Sequence, residues 1–186
     1  MTDAIERRVG AELRAQGTRI IGYAALFDSL SHNLGGFVER VQPGAFARSL
    51  GEAPDVVALF HHDARAVLGR TRSGTLRLAE DSRGLQFELD VANTTAGRDV
   101  LESVGRGDIT GASFAFKARR DAWTETDDGT PLRTLIDVDL LDVTITPAPA
   151  YPETSVARRS LDARAAPGAL AARRRRIALA RRRIVA

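Results

Sequence analysis

Short apolar runs separated by polar punctuation set the rhythm of this chain, and that rhythm predicts strands more often than helices. Residues 18–27, TRIIGYAALF, are rich in β-branched and aromatic types and predict a strand. After Gly35-Gly36, FVERVQ (37–42) alternates apolar and polar positions as a half-buried strand does. Pro43 then opens PGAFARSL, which predicts a short helix with proline in its first turn. DVVALFH (55–61) is apolar enough for a buried strand, and VLGRT (67–71) and TLRLAED (75–81) flank Ser73-Gly74 as the arms of a hairpin. In GLQFELDV (84–91), Leu85, Phe87, Leu89 and Val91 share one face while Gln86, Glu88 and Asp90 share the other.

Thr94 to Val104 predicts the principal interior helix, with Thr94 or Thr95 as cap, Val100, Leu101 and Val104 on one face, and Gly105 and Gly107 as stops. DITGASFAFKAR (108–119) and LRTLIDVDLLDVTI (132–145) predict the last long strands, joined by a polar loop containing Asp127-Asp128-Gly129. TPAPAYP (146–152) ends the pattern, because proline has no N–H to give a sheet. The expectation is a mainly β, barrel-like fold of seven or eight strands with flanking helices. Residues 1–17 are expected as an N-terminal extension, 18–156 as the folded domain and 157–186 as a tail.

Charge sharpens that division. The whole chain of 186 residues carries +3, but residues 157–186 hold ten Arg against one Asp, so the first 156 residues carry −6. An acidic body is joined to a basic tail, and the pI of about 10.1 describes neither. Within the tail Leu170, Ile177 and Ile184 recur every seven residues, a stripe too thin to fold alone, so the tail is expected to be disordered or helical only when bound. With no cysteine, disulfides and thiol nucleophiles are excluded. No apolar run reaches the roughly 18 residues of a membrane span, and the charged start, MTDAIERRVG, does not read as a signal peptide.

Three residues carry candidate chemistry. His62 lies in LFHHDARAVLGR at the end of a predicted strand, Ser113 in GDITGASFAF, and Asp142 inside the apolar run DLLDVTITPAPA. A serine hydroxyl needs a base to become a nucleophile, imidazole titrates in the right range, and a carboxylate can fix its tautomer. From the residues alone each has an ordinary structural alternative, Asp142 above all, since it could point outward as Asp137 and Asp139 are expected to. His61 and His62 should diverge on a strand, so no metal site is expected, and nothing in the chain calls for a cofactor.

Four blocks in order resemble the prohead (capsid maturation) proteases of tailed phages. GYAALFDSLSHNLGGFVERVQPGAFARSL resembles the family's opening, with its Phe-Asp strand end and Pro-Gly-Ala-Phe turn at Pro43–Phe46. DVVALFHHDARAVLGRT resembles its strand with a His-Asp pair, RGDITGASFAF its nucleophile strand, and LLDVTITPAPAYPET its last strand. The resemblance implies a fold like that of the herpesvirus assembly proteases, with His62, which directly precedes Asp63, as base and Ser113 as nucleophile. The third member is usually a Glu before Val-Ser; here Asp142 stands in that place, one methylene shorter. Backbone N–H groups near Ser113, or an arginine such as Arg98 or Arg106, are the candidates for stabilising the oxyanion.

The function so implied is a serine endopeptidase that cleaves the major capsid protein and scaffold segments, and its own tail, inside assembling proheads in the host cytoplasm. The tail would then contact acidic assembly partners; self-association stays open, and no membrane is expected. A catalytically silent assembly factor is the alternative from another class. Nucleic-acid binding through RRRR (173–176) and RRR (181–183) is another, non-specific in kind, because the body lacks a recognition motif.

Overall fold

The computed structural model describes residues 5–10 and 12–147. Among them are ten strands: β1 (Glu6–Gly10), β2 (Glu12–Gln16), β3 (Arg19–Leu26), β4 (Val38–Val41), β5 (Val57–Phe60), β6 (Asp63–Arg70), β7 (Leu76–Glu80), β8 (Gly84–Asp90), β9 (Gly111–Glu125) and β10 (Pro131–Thr146). Two helices, α1 (Ala47–Gly51) and α2 (Thr95–Gly105), complete the described chain, together with a 3-10 turn at Thr71–Ser73. One sheet runs β1-β9-β10-β5-β6 with β4 also on β10, and the other runs β2-β3-β8-β7. The fold is mainly β with flanking helices, as expected.

β10 is the spine of the larger sheet. It pairs antiparallel with β9 on one side. On the other side its first half runs parallel to β4, opposite Val38–Val41, and its second half parallel to β5, opposite Val57–Phe60. The two sheets close on one core that includes Ile20, Phe46, Phe87, Leu89, Val100, Phe114, Phe116, Val143 and Ile145. Phe46 of the α1 approach meets Phe114 edge-on at 5.4 Å, and Phe114 stacks on Phe116 at 5.1 Å. Where the sheets approach, a side chain at Gly69 would put its first carbon 2.6 Å from Leu89 Cδ1, so only glycine fits without repacking.

Three expectations need correction. Among the described residues the strand count is ten rather than seven or eight, because residues 6–10 and 12–16 of the expected N-terminal extension form β1 and β2, one in each sheet. ERRVG hides its strand character because its charges are buried in pairs. Arg133 of β10 donates to Glu6 at 2.7 Å, to Glu39 of β4 at 3.1 Å and to Asp121 of β9 at 2.6 Å, while Arg8 bridges Glu6 and Glu39. Burial pulls the Arg133 guanidinium down, but Glu39 and Glu6 outweigh it and the group is held well above its ordinary range. The second correction concerns Ser73-Gly74. Gly74, at φ 71°, closes the 3-10 turn, and the chain there changes sheets: β6 pairs with β5 and β7 with β8, so 67–81 is no hairpin. Third, the helix after Pro43 starts only at Ala47, with the Phe46 N–H capped by Glu80 Oε1 at 2.8 Å.

Thr94 caps α2 as predicted, its hydroxyl accepting the Gly97 N–H at 3.1 Å. Among the described residues no helix is long and apolar enough to cross a membrane. The Arg-rich tail and the boundary at residue 156 lie outside the described residues.

Candidate active site

Phe60 pairs with Asp63, so His61 and His62 are the two central residues of a two-residue hairpin between β5 and β6. Their φ angles are 52° and 56°. Positive φ at both positions marks the type I′ turn, whose twist matches that of the flanking strands. Histidine visits this left-handed region more readily than most side chains, though less readily than the Asn-Gly pair that usually signals such a turn. Hence the placement of His62 on a strand, alternating with His61, is corrected: both sit in the turn. His61 is exposed, lies with its ring 4.0 Å from that of Phe60, and donates its backbone N–H to the Ile145 carbonyl at 3.1 Å. That bond ties the turn to β10, and His62 folds inward over the strand.

Ser113 is the third residue of β9 and faces Thr144 of β10 across the ladder. Ala112, Phe114 and Phe116 enter the core, which leaves Ser113 on the opposite face of the sheet. There its Oγ lies 3.1 Å from His62 Nε2. Behind the ring, Asp142 Oδ1 lies 3.3 Å from Nδ1.

Asp142 reaches that face by means of an irregularity. Leu140 pairs with Phe116 and Asp142 with the very next residue back, Ala115, so one residue of β10 has no counterpart on β9. On a regular strand Leu140 and Asp142 would share a face; the bulge sends Leu140 into the core and Asp142 to the site. Asp137 and Asp139, by contrast, pair at the surface with Arg48. The structure therefore brings His62, Ser113 and Asp142 together from a turn and two strands.

Thr144 was not singled out in the sequence. Its Oγ1 lies 3.1 Å from His62 Nδ1 and donates to Asp142 Oδ1 at 2.9 Å. The signal for it was present, since i and i+2 share a strand face and Asp142-Val143-Thr144 fits that spacing.

Ser113 has no exposed surface, whereas the side chains of His62 and Asp142 are 17% and 15% exposed. Strand partners flank Ser113 on both sides, Val9 on β1 and Thr144 on β10, so the backbone donors around it are engaged in ladders rather than free for an oxyanion. Arg98 bonds Asn93, and Arg106 pairs with Asp108, at the two ends of α2.

A model of the caudovirus prohead serine protease family matches residues 5–166. No curated protein sequence matches the chain. Among solved structures, the bacteriophage T4 capsid assembly protease gp21 superposes with a TM-score of 0.51 over 76% of this chain and 98% of its own, at 8% identity. At that identity the likeness establishes the fold. The family match extends from the start of β1 past the end of β10 and so includes the His62 turn, the Ser113 strand and the Asp142 bulge. The chain belongs to the caudovirus prohead serine protease family.

Proposed function

We propose that this chain is a serine endopeptidase of capsid maturation in which Ser113 is the nucleophile, His62 its base and Asp142 the orienting carboxylate. The observation that carries the reading is the 3.1 Å approach of Ser113 Oγ to His62 Nε2, with Asp142 behind the same ring. With its proton on Nδ1, the imidazole presents a lone pair on Nε2 to the hydroxyl. As Oγ bonds to the scissile carbonyl carbon, its proton passes to Nε2, and the imidazolium so formed faces the Asp142 carboxylate. The same proton then goes to the leaving amine, and the acyl-enzyme is hydrolysed by water activated in the same way.

The substrates are capsid-assembly proteins, namely the major capsid protein and scaffold segments, together with the chain's own basic tail. Support comes from the family and from the T4 neighbour, whose name is that of a capsid assembly protease. The tail, +9 against a −6 body, is suited to hold the enzyme against acidic assembly partners until it is removed. The enzyme thus works in the host cytoplasm, inside assembling proheads.

Intact-mass analysis of the expressed full chain tests this. The wild type is expected to shorten within the tail, while Ser113→Ala and His62→Ala stay at full length because cleavage slows by about 10³-fold or more. A Ser113→Ala chain shortened as readily as wild type overturns the assignment.

A further inference from the structure

Asp142 is a short reach from the ring it should orient. Its Oδ1 stands 3.3 Å from His62 Nδ1, beyond the 2.7–3.2 Å within which N–H···O bonds ordinarily fall. The Thr144 hydroxyl stands nearer to that nitrogen, at 3.1 Å, and 2.9 Å from the same carboxylate oxygen. We propose that Thr144 is a positioning residue of this site, its hydroxyl carrying the contact between imidazole and carboxylate. The inference rests on the reading of His62 as the base that activates Ser113.

A hydroxyl has one proton to donate and two lone pairs to accept with. Thr144 donates its proton to the Asp142 carboxylate, which leaves its oxygen free to accept from His62 Nδ1. That arrangement favours one tautomer, with the proton on Nδ1 and the lone pair on Nε2 aimed at Ser113. Thr144 has no exposed surface, so water has little access to take the hydroxyl's place. Its backbone sits between Ser113 on β9 and Leu59 on β5, with its hydroxyl within hydrogen-bond reach of the imidazole. Branching at Cβ limits its rotamers, which keeps the oxygen aimed without further support. A carboxylate that falls short of the ring is extended by a neighbouring hydroxyl on the same strand face.

The first measurement needs no substrate. Long-range ¹H–¹⁵N spectra of ¹⁵N-histidine-labelled full chain, assigned with His62→Gln, should show the wild-type ring as the Nδ1–H tautomer. Thr144→Ser should keep that spectrum, and Thr144→Val should mix the tautomers. The second measurement is the rate at which a fluorophosphonate acylates Ser113, followed by intact mass. Thr144→Val is expected to slow it by about 10- to 100-fold, the scale on which loss of an orienting partner acts. Thr144→Ser should stay within about threefold of wild type, as a hydroxyl at the same reach still makes both bonds. In the Asp142→Glu/Thr144→Val double variant, the longer carboxylate should recover part of the loss. Circular dichroism identifies any variant that fails to fold, and Thr144→Ala and Thr144→Cys stand in for it. A Thr144→Val chain with wild-type spectrum and labelling rate, alongside an unreactive His62→Gln, overturns the role of Thr144 alone. If His62→Gln labels as fast as wild type, the reading of His62 as base fails instead.

Discussion

The two histidines of the β5–β6 turn occupy backbone space that L side chains usually avoid, at φ 52° and 56°. The left-handed region costs an ordinary residue roughly 1–2 kcal/mol, and a β-branched one most of all. His61→Val should therefore lower the unfolding free energy by about 1–2 kcal/mol. His61→Gly should leave it within about 1 kcal/mol, because relief of strain offsets the lost chain stiffness. Urea melts of the two variants check both values. A second residue-scale expectation concerns Asp139. Its carboxyl is held below the ordinary range first by Arg119, against desolvation, with help from Arg48. A depressed carboxylate stabilises the fold fully above its unfolded pKa of about 3.9, and that contribution disappears as pH falls through the lower folded value. Between pH 5 and pH 3 the wild type should thus lose more stability than Asp139→Asn, a difference visible in urea midpoints taken at both ends of that window. His62 and Ser113 were legible as a candidate pair through the ordered blocks that resemble the prohead proteases, since residue chemistry alone left each an ordinary structural alternative. Thr144 was not, since a threonine between Val143 and Ile145 looks like any other strand residue until its partners are placed.

Among elements, those with local signals were read correctly and those defined by distant partners were not. α2 announces itself through its cap and its apolar face, and Thr94→Ala should cost about 1 kcal/mol by leaving the Gly97 N–H without its acceptor. Thermal unfolding of that variant measures the cost. β8 alternates so cleanly that Leu85, Phe87 and Leu89 are all buried as expected. The failure at 67–81 is of a different kind, because Leu76 pairs with Leu89 of β8, and no pattern in TLRLAED says which neighbour it will choose. β1 escaped for a related reason: Glu6 and Arg8 look solvent-facing until Glu39 and Arg133 arrive from strands far along the chain. The bulge between Leu140 and Asp142 was equally silent, though it decides which face the carboxylate takes.

At the scale of the molecule, the buried charges of β1, β4 and β10, with Asp121 of β9 at their edge, act as one joint. Removing Arg133 leaves the buried Glu6 and Glu39 sharing Arg8, in a medium that solvates the excess charge poorly. Arg133→Met should accordingly cost about 3–5 kcal/mol, which for a chain of this size lowers the unfolding midpoint by roughly 10 °C. Calorimetry of the variant tests it, and a change within a few tenths of a kcal/mol would mean that the cluster contributes no net stability. The same joint explains why the first strand belongs to the fold rather than preceding it.

The spine strand also has a place in time. Chain synthesis delivers the His62 turn first and the Ser113 strand next, and β10, which lies between them in the sheet and carries Asp142, comes last of the ten. Until β10 inserts, the proposed base and nucleophile belong to strands with no common neighbour, so on that proposal a half-made chain holds two of the three site residues without the strand that joins them. For an enzyme whose own tail is a proposed substrate, order of synthesis then works as a safety interval, and the capacity to cleave arrives only when the domain is finished.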